Sequence, residues 1–198
     1  VSAHKKVTKT YQFRRDNVTF HFLPHPRWPF ELAFPILQQR VLQLLHSMES
    51  QLISTLPLMV NAAADVQLKR TLNEHLLITQ EQTQRLEEVG KSRGLTLTDV
   101  NDQGLTYLLK DAQTHLQEAS DSHVRDMIVR SSVLKVEYYE IGAYESAIEL
   151  AQKLKENRVV ESLQKTLKEE RQAADNVRET TGGGFFGKMQ AGIAKKLV

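Results

Sequence analysis

Acidic residues sit on helical stripes that are otherwise apolar, and this conflict limits what the chain can fold into more than any other feature. From Val124 to Ile148, Met127, Leu134, Ile141 and Ile148 recur at seven-residue spacing, with Ser131, Tyr138 and Tyr144 on the same side. That period predicts a long helix buried along one face. Glu137 lies between Leu134 and Ile141, and Glu140 follows one turn later. Two other stripes repeat the pattern: Glu49 falls among Leu45, Leu52 and Ile53, and Glu170 stands in line with Leu163, Leu167, Ala174 and Val177. A carboxylate aimed into a helical core is costly unless a metal, a cation or a hydrogen-bond donor meets it.

The helical period predicts four main helices. The first follows Pro35, a residue suited to a first helical turn, and runs to about Ala63 with a kink at Pro57. The second covers about Val66 to Lys91, burying Leu68, Leu72, Leu76, Leu86 and Val89 with His75, Thr79 and Gln82 on the same face. After a connection marked by Gly90, Gly94 and polar residues up to Asp102, a shorter amphipathic helix spans about Gln103 to Ala119. The third main helix runs from about Asp121 to Lys155 and the fourth from about Asn157 to Thr181.

Both ends differ from this body. Residues 1–35 contain seven of the thirteen aromatics and four of the five prolines. Alternation of Val7, Lys9, Tyr11 and Phe13, then of Val18, Phe20 and Phe22, around Arg15-Asp16-Asn17 suggests a short β-hairpin. Such a hairpin is marginal alone, so its aromatics need a surface, either the chain's own bundle or a partner. At the other end Gly182-Gly183-Gly184 precedes Phe185, Phe186, Met189, Ile193 and Leu197 at helical spacing, with Lys188, Lys195 and Lys196 on other faces. This tail suits docking on protein, with contact to a membrane surface as the lesser expectation. The division expected is an arm over 1–35, a bundle over 36–181 and a tail over 182–198.

Composition narrows the chemistry. There is no cysteine, which excludes disulfides, thiolate metal sites and cysteine nucleophiles. Basic residues gather at the two ends and leave the middle acidic, a distribution unlike a nucleic-acid-binding face. No apolar run reaches the length that crosses a bilayer. No nucleophile–base constellation or phosphate-binding glycine loop is present, so enzymatic activity is not the leading expectation.

Five segments together resemble the YciE/YciF-type stress proteins, a branch of the ferritin-like superfamily. They are Glu49-Ser50-Gln51-Leu52 through Leu56-Pro57, Glu74-His75-Leu76 with Thr79 and Gln82, Val124-Arg125-Asp126, Lys135 to Ile141 with Tyr144, and Thr166 to Glu170 with Asp175. The resemblance covers about Leu42 to Glu179. It implies an all-α fold: a ferritin-like up-down four-helix bundle with a short crossover helix between the second and third helices. To this are added the N-terminal arm and the short C-terminal amphipathic helix.

In ferritin-like metal proteins, carboxylates from two helices and Glu-x-x-His pairs from the other two surround two metals. The resemblance carries Glu49, Glu137, Glu140 and Glu170 onto ligand positions, with His75 as the candidate from the second helix. Leu77 and Ile78 stand where the family has consecutive acids, Tyr138 replaces a usual histidine, and no Glu-x-x-His occurs. The leading expectation is therefore a degenerate metal site without a cofactor. In it the acids form a hydrogen-bonded polar core with Tyr138, Tyr139, Tyr144, His75 and Gln82. The chain then serves as a structural or accessory subunit of a larger assembly or a homo-oligomer, through its arm and tail. The alternative is an iron- or manganese-binding stress protein. The family points to the cytoplasm; a sequence opening on Val1 leaves import into an organelle such as the mitochondrion as the other possibility.

Overall fold

The computed structural model describes residues 11–15, 18–22, 30–98 and 100–180. The chain divides into two compact units, Val1–Leu37 and Gln38–Val198. In the first, β1 (Tyr11–Arg15) pairs antiparallel with β2 (Val18–Phe22), in a register that sets Tyr11 opposite Phe22 and Phe13 opposite Phe20. The hairpin expected from alternation is thus present. The tail expected after Gly182 and the arm's aromatic contacts lie outside the described residues.

Five helices follow: α1 (Phe30–Ala62), α2 (Val66–Ser92), α3 (Gln103–Glu118), α4 (Ser122–Lys153) and α5 (Asn157–Glu179). The first starts one turn before Pro35. Pro35 is its sixth residue, so the missing N–H costs a single intrahelical bond, the one to the carbonyl of Glu31. It also continues unbroken through Pro57. Each later start has a local cause. Asp65 accepts from Leu68 N at 2.7 Å, Asp102 from Leu105 N at 2.8 Å, and Asp121 from His123 N at 2.8 Å. These aspartates satisfy orphan donors of the first turn. Helix α2 ends in a Schellman turn at Gly94, whose φ is 65°, with Leu95 N bonded to Gly90 O at 2.9 Å. Helix α4 ends in the same way, with Lys155 rather than glycine at φ 59°.

Polar ties fix the direction of each helix. At one end, Asp126 of α4 accepts from Ala64 N and Asp65 N of the α1–α2 turn, at 2.6 and 3.2 Å. Arg130 donates to Thr180 at the end of α5, 3.2 Å away. At the other end, Glu156 in the α4–α5 turn accepts from Gln38 at 2.6 Å and pairs with Arg93. Helices α1 and α5 therefore run one way and α2 and α4 the other, with α3 carrying the chain back. A ferritin-like bundle with one crossover has this order. The crossover is pinned to α1, where Asp102 N donates to Ser47 and Gln51 donates to Asp102 O. Tyr139 of α4 donates to Asp102 Oδ1 at 2.8 Å. No helix among the described residues is long and apolar enough to cross a membrane.

The core is built from Leu42, Leu45, Met48, Leu52, Leu56 and Met59 of α1, Leu68, Leu72 and Leu86 of α2, Val129, Val133 and Val136 of α4, and Leu163 and Val177 of α5. One stripe departs from expectation. Met127 is 52% exposed, Ser131 is exposed and Leu134 and Ile141 are only half-buried, so the seam of α4 lies one residue round from the apolar repeat. It runs through Val133, Glu137, Glu140, Tyr144, Ala147 and Ala151. The acids do not interrupt the buried face; they occupy its centre.

Candidate metal centre

All four long helices send a polar side chain to one level of the bundle. Helix α1 supplies Glu49, α2 supplies His75, α4 supplies Glu137 and Glu140 from neighbouring turns, and α5 supplies Glu170. The four carboxyls are fully buried and His75 is 4% exposed. His75, Glu137, Glu140 and Glu170 each offer one ligand atom, and these atoms lie within 4.8 Å of one another. Glu49 stands beside this group, with one oxygen taken by the Tyr144 hydroxyl.

The protein meets only part of what these groups require. Gln82 donates to Glu170 Oε1 at 2.5 Å, and Tyr144 donates to Glu49 Oε1. His75 Nε2 comes within 3.1 Å of Glu137 Oε1, without the alignment of a hydrogen bond. Both oxygens of Glu137 and of Glu140, both His75 ring nitrogens, Glu49 Oε2, Glu170 Oε2 and Gln82 Oε1 are buried with no hydrogen bond. Arg125 Nε is the one atom in the same condition outside the centre among the described residues. Each unmet buried group costs about 1–3 kcal/mol. A cluster this size therefore rivals the whole stability of a domain, about 5–15 kcal/mol.

Protonation relieves some of that cost in the metal-free state. Burial pushes the Glu140 carboxyl well above the usual range, and the charges of Glu170, Glu49 and Glu137 push it further. Glu170 is raised for the same reason, by burial first and then by Glu49 and Glu137. Glu49 is raised to about 7 by burial, held down in part by the Tyr144 hydrogen bond and by His75. Burial alone would lower His75, but the Glu137 carboxylate outweighs it and leaves the imidazole raised. Burial also drives the Tyr144 phenol far up, so it remains a hydrogen-bond donor.

All five residues expected at the site reach the centre, but the polar core differs from expectation. Tyr138 is 48% exposed and lies against Arg178, and Tyr139 is committed to Asp102; neither reaches the acids. Glu49, Glu137, Glu140, Glu170, His75, Tyr144 and Gln82 are the buried members. Leu77 is exposed and Ile78 half-buried, so the positions whose missing acids suggested a lost site do not face the centre. Helix α2 faces it with His75, Thr79 and Gln82. Glu169, next to the centre on α5, is paired with Arg85, whose Nη1 and Nη2 lie 2.9 and 3.1 Å from its two oxygens. Arg85 stands one turn beyond Gln82 on α2, and that spacing was the available signal.

The sequence pattern of the domain of unknown function DUF892 matches residues 38–185. Protein YciF of Escherichia coli K12 is 28% identical over 127 residues, covering 64% of this chain and 76% of that protein. Two solved structures are similar. YcfI of Rhodopseudomonas palustris, for which a structural role has been suggested, superposes with a TM-score of 0.71 at 30% identity, covering 73% of this chain and 92% of that one. The E. coli stress protein YciF gives a TM-score of 0.72 at 24% identity, covering 75% and 95%, and at that identity speaks for the fold alone.

Proposed function

The chain belongs to the DUF892 family of YciE/YciF-type helical bundles, and we propose that within it this protein binds one divalent metal ion at the centre of its bundle. The observation that carries the reading is the concentration of unpartnered carboxylate and imidazole atoms at one buried point. Glu137, Glu140, Glu170 and His75 would hold the ion, and Glu49, fixed by Tyr144, would add a carboxylate beside it. Oxygen donors with one imidazole and no thiolate suit iron, manganese or zinc. Bound iron or manganese would supply one-electron redox chemistry.

The chain's own residues have defined tasks in this reading. Glu140 and Glu170 give up protons as the ion arrives, because carboxylates must ionise to bind it. Gln82 and Tyr144 orient Glu170 and Glu49 as outer partners of the ligands. The core around them excludes bulk water.

Titration calorimetry with Mn²⁺ in two buffers of different ionisation enthalpy tests this. One site with proton release is expected, abolished in a Glu137→Gln/Glu140→Gln double variant. Equal heats from the variant and the native chain would contradict it.

A second reading, a structural or accessory subunit acting through the arm and tail, draws support from the role suggested for YcfI. Co-purification of the full chain, with and without residues 1–30, tests it; an unchanged set of bound proteins after truncation counts against the arm.

A further inference from the structure

We infer that cations reach the centre along the seam between α2 and α5, captured by Glu169 and passed by Gln82 to Glu170, with Arg85 as the latch on this route. The inference rests on the metal-binding reading above and extends it to how the site fills.

Gln82 is fully buried, and its Nε2 lies 2.5 Å from Glu170 Oε1 and 3.3 Å from Glu169 Oε2. One side chain thus touches both a carboxylate of the centre and a carboxylate of the outer layer. Its Oε1 is buried with no hydrogen bond. An amide oxygen is a hard ligand for divalent cations and needs no proton loss to act as one. Glu169 is the outward member, its side chain 23% exposed against 1% for Glu137.

Arg85 closes the outer step. Its guanidinium grips both oxygens of Glu169, and Nη1 also donates to Thr166 Oγ1 at 2.5 Å. A cation can use Glu169 only when that fork swings away, and until then the positive guanidinium repels it. The pair is two-pronged and its side chains are 13% and 23% exposed, so its opening is the costly step of the route. A void beside Glu137 on the α1–α4 side is walled mainly by Leu52, Leu56, Met59, Leu109, Val133 and Val136, with a volume of about 10 Å³. An apolar space of that size does not pass a hydrated ion.

The route makes predictions of opposite sign. Metal-free full-length protein is mixed rapidly with Co²⁺, and uptake is followed by its visible absorption, with final occupancy from elemental analysis. Glu169→Gln and Gln82→Leu are expected to load about tenfold more slowly, and Arg85→Gln faster than native, since the Glu169 carboxylate then stands open to the cation with no guanidinium beside it. Final occupancy stays the same in Glu169→Gln and Arg85→Gln; Gln82→Leu also frees Glu170, so it is read by its rate alone. Glu169→Asp, which keeps the charge, is expected to load near the native rate and stands in if Glu169→Gln does not fold. A seam that was merely loosened would load faster in every variant. A native rate in Glu169→Gln at full occupancy overturns the route and leaves the metal-binding reading intact. No cobalt uptake by the native chain overturns both.

Discussion

His75 Nε2 stands 3.1 Å from Glu137 Oε1, on helices α2 and α4 that run in the same direction because α3 carries the chain back between them. The pair forms in the crossover topology, and it brings an imidazole to carboxylates that α1, α4 and α5 already crowd together. The metal-free protein is left with buried acids that repel one another.

That conflict makes the centre a burden on stability without metal. Replacing a buried charged group by an apolar side chain of similar size is often stabilising, by about 1–4 kcal/mol. Glu140→Leu is expected to raise the unfolding free energy of chelator-treated protein in that range and to abolish stabilisation by Mn²⁺. Urea unfolding with and without Mn²⁺ measures both effects. A variant less stable than native in chelator contradicts the prediction.

The pH dependence of the metal-free protein follows from the same groups. Glu49 is raised in the folded state to about 7 from an ordinary value of 4.5. A folded-state rise means that its stabilisation is complete below the ordinary value and is lost as pH rises through about 7. His75, also raised, acts in the same sense. Chelator-treated protein should therefore lose about 3 kcal/mol between pH 5 and pH 8. Thermal unfolding across that range checks it, and a flat or rising profile would count against buried, protonated acids.

Asp126 is the clamp between the α1–α2 turn and α4, accepting from Ala64 N and Asp65 N. Asp126→Ala leaves two backbone donors unmet and is expected to cost about 2–4 kcal/mol. Denaturant unfolding reads this directly. A loss under 1 kcal/mol would show that water replaces the carboxylate.

Lys155 holds the left-handed position of the α4 C-terminus that Gly94 holds in α2. The left-handed region costs a residue with a Cβ about 1–2 kcal/mol, of which glycine's greater unfolded-state freedom offsets part. Lys155→Gly is expected to stabilise the fold by about 1 kcal/mol, seen as a higher urea midpoint at unchanged slope.

Much of the bundle was legible from periodicity and turn residues: the sequence boundaries of α2, α3, α4 and α5 fall within two residues of those observed. The start of α1 was not, because Pro35 reads as a beginning although a helix tolerates it shortly after one. The seam of α4 was misplaced for a related reason. Its central positions are Glu137 and Glu140, and a repeat counted on apolar residues settles on the adjacent line of Met127, Leu134 and Ile141. For the centre, Glu49, His75, Glu137, Glu140 and Glu170 were visible as polar residues on buried stripes. The inward face of α2 was legible as well, because His75, Thr79 and Gln82 fall on the stripe of Leu68, Leu72 and Leu86. The expectation of a degenerate site drew on the absent acids at Leu77 and Ile78, of which the first is exposed and the second half-buried. The Arg85–Glu169 pair joins residues 84 apart and has no local signature beyond its place beside Gln82 and Glu170.

The most direct test is the metal content of the full chain after anaerobic reconstitution with Fe²⁺ or Mn²⁺ and removal of free ion, measured by elemental analysis against protein concentration. The account predicts about one ion per chain, falling to near zero in the Glu137→Gln/Glu140→Gln variant. A folded native chain that retains no metal would contradict it.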